Sequence, residues 1–353
     1  MFNNGDNSIL LKMKKTFYLF CLTAAILASC SKEKNADPIA ESVQTDLSDI
    51  KVISYNQGMK SGTTMLEFPS IDNYESTINL LSQRMDVYDS IFFVQYGSLS
   101  EDAYNSKMDE VGYNEQQPLI DFETSLRFSN SMRQAFVTVE TSWLNQSDLD
   151  IATCPKKSYP FSIAEMSVLN ANGEVKIGNS ILKLTNDGFL WIKDGSFTTL
   201  SSFNNGDMST LNLSTVVTNL NRANRSSCDN WEQRNIAHEY ISNSKKVLKH
   251  VHFHSYPWKG TSSAEITSYK KNNNGNWKKH AIYLGVANQS YFKDIDCYAS
   301  ISSWSGWKHK TNKSIEKNIS SWGAFPQYRA ENGATVLGYF EYASNANNHW
   351  LTW

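Results

Sequence analysis

The chain has 353 residues, of which 40% are hydrophobic and 19% charged, with 33 Lys and Arg against 35 Asp and Glu for a net charge of −2. This is the composition of a globular protein long enough for two domains, and beyond the N-terminal leader it holds no apolar run of membrane-spanning length. The near-neutrality is a cancellation, because residues 40 to 230 carry 13 basic and 24 acidic side chains while residues 231 to 353 carry 15 and 8. Two stretches of opposite sign predict two units with different surfaces.

The N-terminus is read first. Lys12, Lys14 and Lys15 precede the apolar run Phe17 to Leu27, which has the layout of a secretory signal peptide and is too short to span a bilayer as a stable helix. Met13 would give this leader a tidier start than Met1. Leu27-Ala28-Ser29-Cys30 closes the leader, and small residues directly before a cysteine resemble the lipobox of bacterial lipoproteins. That resemblance implies a signal peptide over residues 1–29, lipidation of Cys30 and attachment to a membrane through the lipid. A polar stretch follows, and residues 30–61 read as a tether.

Helical spacing begins after Ser70, with Ile71, Tyr74, Ile78, Leu81 and Met85 on one face. A second helix is expected from Asp86, ending at Gly97 in a left-handed stop. Ser98 with Glu101 suggests a capping box for a third helix carrying Tyr104, Met108 and Val111. Pro118 opens a stretch with Leu119, Phe122 and Leu126, and Met132, Phe136, Val139 and Trp143 repeat the helical spacing. After Cys154-Pro155 the apolar period falls to two. Ser167 to Gly178 reads as a hairpin around Asn172-Gly173, and Ile181–Leu184 with Phe189–Ile192 as another around Asp187-Gly188.

The Asn/Ser-rich stretch from 200 to 230 is the expected boundary, giving a helical and hairpin domain over 62–225 and a β domain over 226–353. In the second, Val247, Val251 and Phe253 alternate with His250, His252 and His254, so one strand face is apolar and the other bears imidazoles. Residues 264–270 and 277–286 flank Asn272–Asn276 as a hairpin, and Tyr298–Ser302, Thr335–Tyr342 and His349–Trp353 add short strands. The whole predicts an α+β protein whose C-terminal part is an antiparallel β-sandwich or partly open barrel. A lipobox, a helical region, the hairpin Leu169 to Gly178 and a Trp-rich β region together resemble uncharacterised lipoproteins of Bacteroidetes. The resemblance implies an outer-membrane or surface location and carries over no functional residue.

Three constellations could carry chemistry. His250, His252 and His254 share a strand face and, with His280 or Glu265, could hold zinc, against which stand Lys246 and Lys249 beside them. Trp304-Ser-Gly-Trp307 followed by Lys308 reads as an exposed loop in a basic, Trp-rich unit that holds eight of the ten tryptophans. Rings exposed on a rigid sheet stack on sugars, which makes Trp304, Trp307 and Lys308 candidate glycan-binding residues. Cys228 and Cys297, both in the C-terminal unit of an exported chain, are the candidate disulfide. The Ser-x-x-Lys matches at Ser242 and Ser305 lie in Ser/Lys-rich sequence, and no phosphate loop or nucleophile elbow is present. These features together predict a lipid-anchored cell-envelope protein that binds a ligand, a glycan or another envelope protein without catalysis. The alternatives are an exported hydrolase using the C-terminal histidines, with or without zinc, and a structural assembly component. Nucleic acid is a poor partner for an exported, tethered chain.

Overall fold

The computed structural model describes residues 47–57, 60–207, 214–218, 233–293, 300–322, 329–330, 336–342 and 345–352. The leader, Cys30 and the candidate pair Cys228 and Cys297 lie outside the described residues.

Period-two apolar stretches in the first part of the chain build a six-stranded sheet. Its strands are β1 (Lys51–Gln57), β2 (Lys60–Phe68), β3 (Glu174–Ile177), β4 (Ser180–Thr185), β5 (Gly188–Ile192) and β6 (Val216–Thr218), in that spatial order. All neighbours are antiparallel except β2 and β3, where Phe68 pairs with Ile177 in parallel. A parallel pair needs a long crossover. Here it is the helical layer α1 (Ile71–Tyr96), α2 (Glu101–Glu110), α3 (Gln117–Ser125), α4 (Met132–Leu144) and α5 (Ile163–Val168). The sheet presents Leu66, Phe68, Val175, Leu182, Leu184 and Phe189 to Tyr74, Leu81, Phe122, Phe136 and Met166 of these helices. Its other face packs Tyr55, Ile181 and Leu190 against α6 (Phe197–Asn204).

Several expectations change here. Lys51–Gln57, placed in the tether by its low apolar content, is a strand, because Ile53 and Tyr55 alternate onto the α6 side of the sheet. The two helices expected on either side of Met85 are one helix of 26 residues, since Arg84 to Val87 contain no breaker. Gly97 caps it with φ −67°, an ordinary right-handed conformation and not a left-handed stop. The cap of α2 is Ser100, which accepts from Ala103 N, in place of Ser98. The first arm of the Ser167–Gly178 hairpin is the end of α5, whose cap Ser162 accepts from Glu165 N. Asn172-Gly173 turns the chain from that helix into β3. Gly173 has φ +77°, and a Cβ there would meet the Leu184 carbonyl oxygen at 2.2 Å. The hairpin from Ile181 to Ile192 is found as expected, with Leu184 opposite Phe189.

The rest of the described chain is β. One sheet holds β7 (Gln233–Ser242), β8 (Lys245–Ser255), β9 (Lys259–Lys271) and β10 (Trp277–Lys279). The other is centred on β11 (Ile282–Lys293), with β12 (Ser300–Trp304) and β13 (Lys308–Asn312) on one edge. Then β14 (Ser314–Trp322) returns to pair with β9, while β15 (Arg329–Ala330), β16 (Val336–Tyr342) and β17 (Asn345–Thr352) complete the β11 sheet. The two sheets face each other across Val247, Val251, Phe253 and Ile266 on one side and Leu284, Val286, Phe292 and Phe340 on the other. The protein is therefore α+β, with an antiparallel sandwich at its C-terminal end, as the alternation predicts. The chain changes sheet three times, through His280-Ala281, through Lys313 and again between β14 and β15.

Thr45–Trp353 forms one unit. Tyr256 and Trp258, in the turn between β8 and β9, belong to the core that the first sheet makes with its helices. Trp143, Leu149 and Cys154 pack on Leu248, Tyr269 and Trp277 of the second region, and Cys154 is a free buried thiol. The opposite charges of the two stretches meet in this contact. Lys270 pairs with Asp102 at 2.7 Å, Lys278 with Asp109 at 2.7 Å, Lys279 with Glu140 at 3.0 Å and Lys310 with Asp89 at 2.7 Å.

Candidate functional site

The tryptophan candidates sit on the outer face of the β11 sheet. Trp304 lies opposite Gln289 and Lys308 opposite Val286, so Ser305, Gly306 and Trp307 face only two residues of β11. This is a bulge, held by Ser305 N donating to Asn288 O at 2.9 Å and Asn288 N donating to Ser305 Oγ at 2.8 Å. Gly306 takes φ +67° in it. The bulge turns both indoles outward, leaving Trp304 51% and Trp307 37% exposed. Trp304 meets Tyr339 edge-on at 5.4 Å, Trp307 stacks on His309 at 5.3 Å, and His309 stacks on Tyr283 at 5.7 Å. His309 Nε2 is held 2.8 Å from Glu341. A ribbon of rings thus runs from Tyr339 to Tyr283.

Lys308 does not join it. Residues alternate across a strand, so with Trp307 and His309 outward Lys308 points the other way, where both Asp86 carboxylate oxygens lie 3.0 Å from its Nζ.

His250, His252 and His254 share the face opposite Val251 and Phe253, as their spacing requires, but that face is covered. All three are at most 3% exposed. The helical layer lies over them, and Phe161 places its edge on His252 and His254 at 6.4 and 4.9 Å. Their rings follow one another at 5.9 and 5.7 Å, and His254 meets Tyr256 at 4.7 Å. Burial lowers the pKa of His250, against the pull of Glu265, and lowers that of His254 to about 3. His250 Nδ1 is 3.7 Å from Glu265, while its Nε2 has no hydrogen-bond partner among the described residues. Zinc demands nitrogens converging at roughly 2.0–2.1 Å. Among the described residues, the set of His and acidic ligand atoms lying within 4.8 Å of one another is Glu101, Asp102 and His280, away from this ladder. Lys245 and Lys270 already neutralise those two carboxylates.

Between the helical layer and strands β9 and β14 runs a trench that sequence reasoning missed. One cavity of about 140 Å³ is lined by Glu115, Lys156, Glu265, Lys279 and Glu316. A second, of about 240 Å³, is lined by Glu165, His252, His254, Tyr256, Lys259 and Trp322. Ser82, Ser162 and Asn318 line both, so the two are neighbours. Asp86 and Lys308 line the first cavity and also an outer groove bordered by Tyr283 and His309, so the trench reaches the aromatic ribbon.

Glu265 and Glu316 are directly opposed on antiparallel strands. Like charges so placed repel. Glu265 keeps its charge: burial opposes it, but Lys156 Nζ at 2.8 Å and His250 hold its carboxyl well below the usual carboxylate range. Glu316 gives way, and burial together with the Glu265 charge pushes it up to about 7. The signal in sequence was slight, a Glu between Ile315 and Lys317 in an otherwise alternating strand.

No family model matches this chain, and no curated protein matches it. Among solved structures, a DUF4848 family protein from Bacteroides thetaiotaomicron VPI-5482 is similar at 13% identity, over 85% of this chain and 98% of that chain, with a TM-score of 0.19. No site is transferred from it. No helix among the described residues is long and apolar enough to cross a membrane.

Proposed function

We propose that this is a lipid-anchored cell-envelope protein that binds glycan on the outer face of its C-terminal sandwich, held at the outer membrane by acyl chains on Cys30. The observation that carries the reading is the ribbon in which Trp304 and Trp307 stand half exposed, backed by Tyr339 and His309 on a paired sheet. Large aromatics left in water on a rigid scaffold keep an apolar face for a sugar ring at small entropic cost. Hydrolysis through His250, His252 and His254 has less support, because His252 and His254 lie under Phe161 and burial favours the neutral form of His250 and His254.

A glycan array probed with the mature chain tests the binding half, with signal expected for wild type and lost in Trp304→Ala/Trp307→Ala. An unchanged array overturns it, and capture of a stable envelope protein without glycan signal favours an assembly component. Metabolic labelling with a fatty-acid probe tests the anchor. Label is expected on wild type and absent from Cys30→Ala.

A further inference from the structure

The trench holds more acid than base. Its two cavities are lined by seven carboxyl side chains and four lysines. Most of the acids are accounted for. Asp86 takes Lys308, Asp89 takes Lys310, Glu75 takes Lys259 and Glu265 takes Lys156, while Glu115 shares Lys279 with Glu140 behind it. Two carboxyls have no lysine of their own among the described residues. Glu165, on α5, accepts only phenol hydroxyls, from Tyr74 at 3.0 Å and Tyr256 at 2.6 Å. Glu316, on β14, has Ser263 and Asn318 as its polar neighbours. One faces each cavity, and the Ser82, Ser162 and Asn318 neck lies between the cavities.

We infer that the trench binds a small linear organic cation with two primary ammonium groups, one seated at Glu316 and the other at Glu165. Glu165 is buried and Glu316 partly so, and a carboxyl covered in this way without a cation costs free energy that an incoming ammonium returns. The walls suit such a guest. Tyr256 and Trp322 already take the Lys259 ammonium over their rings at 4.7 and 5.8 Å, which is how aromatic walls receive ammonium ions. Hydroxyls and an amide at the neck leave room for an alkyl chain with no competing charge.

The protonation of the empty site agrees. Burial raises Glu165, with Lys259 opposing, and burial raises Glu115, with Lys279 and Lys313 drawing it part of the way back. Glu316 is held up to about 7 by burial and by Glu265 across the strand pair. The groups that face it from the packed elements are Glu265 and, behind it, His250 from the sheet, Lys156 and Glu115 from the helical side, Lys279 from β10, and Asp86 and Asp89 of α1 with Lys308 at the outer end. An ammonium arriving beside Glu316 stabilises its ionised form, so binding expels a proton wherever the empty site is protonated, and affinity rises with pH until the carboxyl is already ionised.

The test is calorimetry of the full chain with putrescine, in two buffers of different ionisation enthalpy, with 1,4-butanediol as the neutral control. Putrescine is expected to bind and the diol not, with about one proton released per ligand near pH 6 and little near pH 8. Glu316→Gln and Glu165→Gln are each expected to weaken binding about tenfold or more, and Glu316→Gln to reduce the proton release. Absence of putrescine binding at millimolar concentration, equal binding of the diol, or binding without proton release near pH 6 each overturns the inference. If Glu316→Gln does not fold, the wild-type proton release and the diol control decide it alone. The inference is independent of the glycan reading, and either can fail without the other.

Discussion

The two outer faces of the sandwich invert the usual assignment of residue to environment. On the β8–β9 side, His250, His252, His254 and Lys259 are buried and Glu265 is largely covered; on the β11 side, Trp304 and Trp307 stand half exposed. Residue type does not decide this, since both sheets are antiparallel and both alternate. What differs is the neighbour. The first face is roofed by the acidic helices α1, α2 and α4, whose carboxylates require basic partners in the sheet below. No element among the described residues covers the aromatic ribbon. A roofed polar face yields charge networks and cavities, and an open aromatic face yields a platform.

The strongest way to break this contrast is at the base of the trench. Lys156→Met leaves Glu265 buried without its cation, and urea unfolding is expected to show a loss of about 3–5 kcal/mol. Lys308→Met, at the open end where Asp86 is 51% exposed, should lose about 1 kcal/mol or less. Equal losses at the two positions would mean that the trench is not graded in depth.

Acid titration comes next. His254 has a folded pKa of about 3 against 6.5 for a free imidazole. The unfolded chain therefore binds more protons between those values, so stability present above pH 6.5 falls as pH drops toward 3. Glu316 acts with the opposite sign. Its folded pKa of about 7 lies above 4.5, so its contribution is present below pH 4.5 and is lost as pH rises through 7. Chemical denaturation from pH 7.5 to 3.5 is expected to show a slope that weakens on the acid side in His254→Gln and is relieved on the neutral side in Glu316→Gln. Ser100→Ala removes only the cap of α2 and should cost about 1 kcal/mol, read by the same unfolding assay. The smallest stability effect belongs to the open face. Trp304→Ala should change unfolding by less than about 0.5 kcal/mol while glycan binding falls about tenfold or more. A large stability loss there would place the ring in a core role.

Much of this architecture could be read from the chain before any coordinates. The alternation of His250, His252 and His254 with Val251 and Phe253 fixed which residues share a face, and Trp304-Ser-Gly-Trp307 declared an exposed loop because glycine and serine separate two large rings. What alternation cannot report is the layer placed on top, so a histidine face readable as solvated turned out to be interior. Lys308 was misassigned to the ribbon for a related reason, because the outward turn of Trp307 puts the next residue on the opposite side. The Glu265 and Glu316 pair depends on β14 returning to β9 after leaving for the other sheet, a pairing 51 residues apart in sequence that local pattern does not encode. The charge division between the two stretches was legible, but its meaning was complementarity within one body.

The β8–β9 turn has a consequence for how the chain is made. Tyr256 and Trp258 complete the core of a sheet whose last strand ends at Thr218. A chain emerging from its N-terminus thus exposes an unfinished apolar interior until residue 258 has followed. The early part waits for the late part, so a product truncated before that turn is left open to proteases.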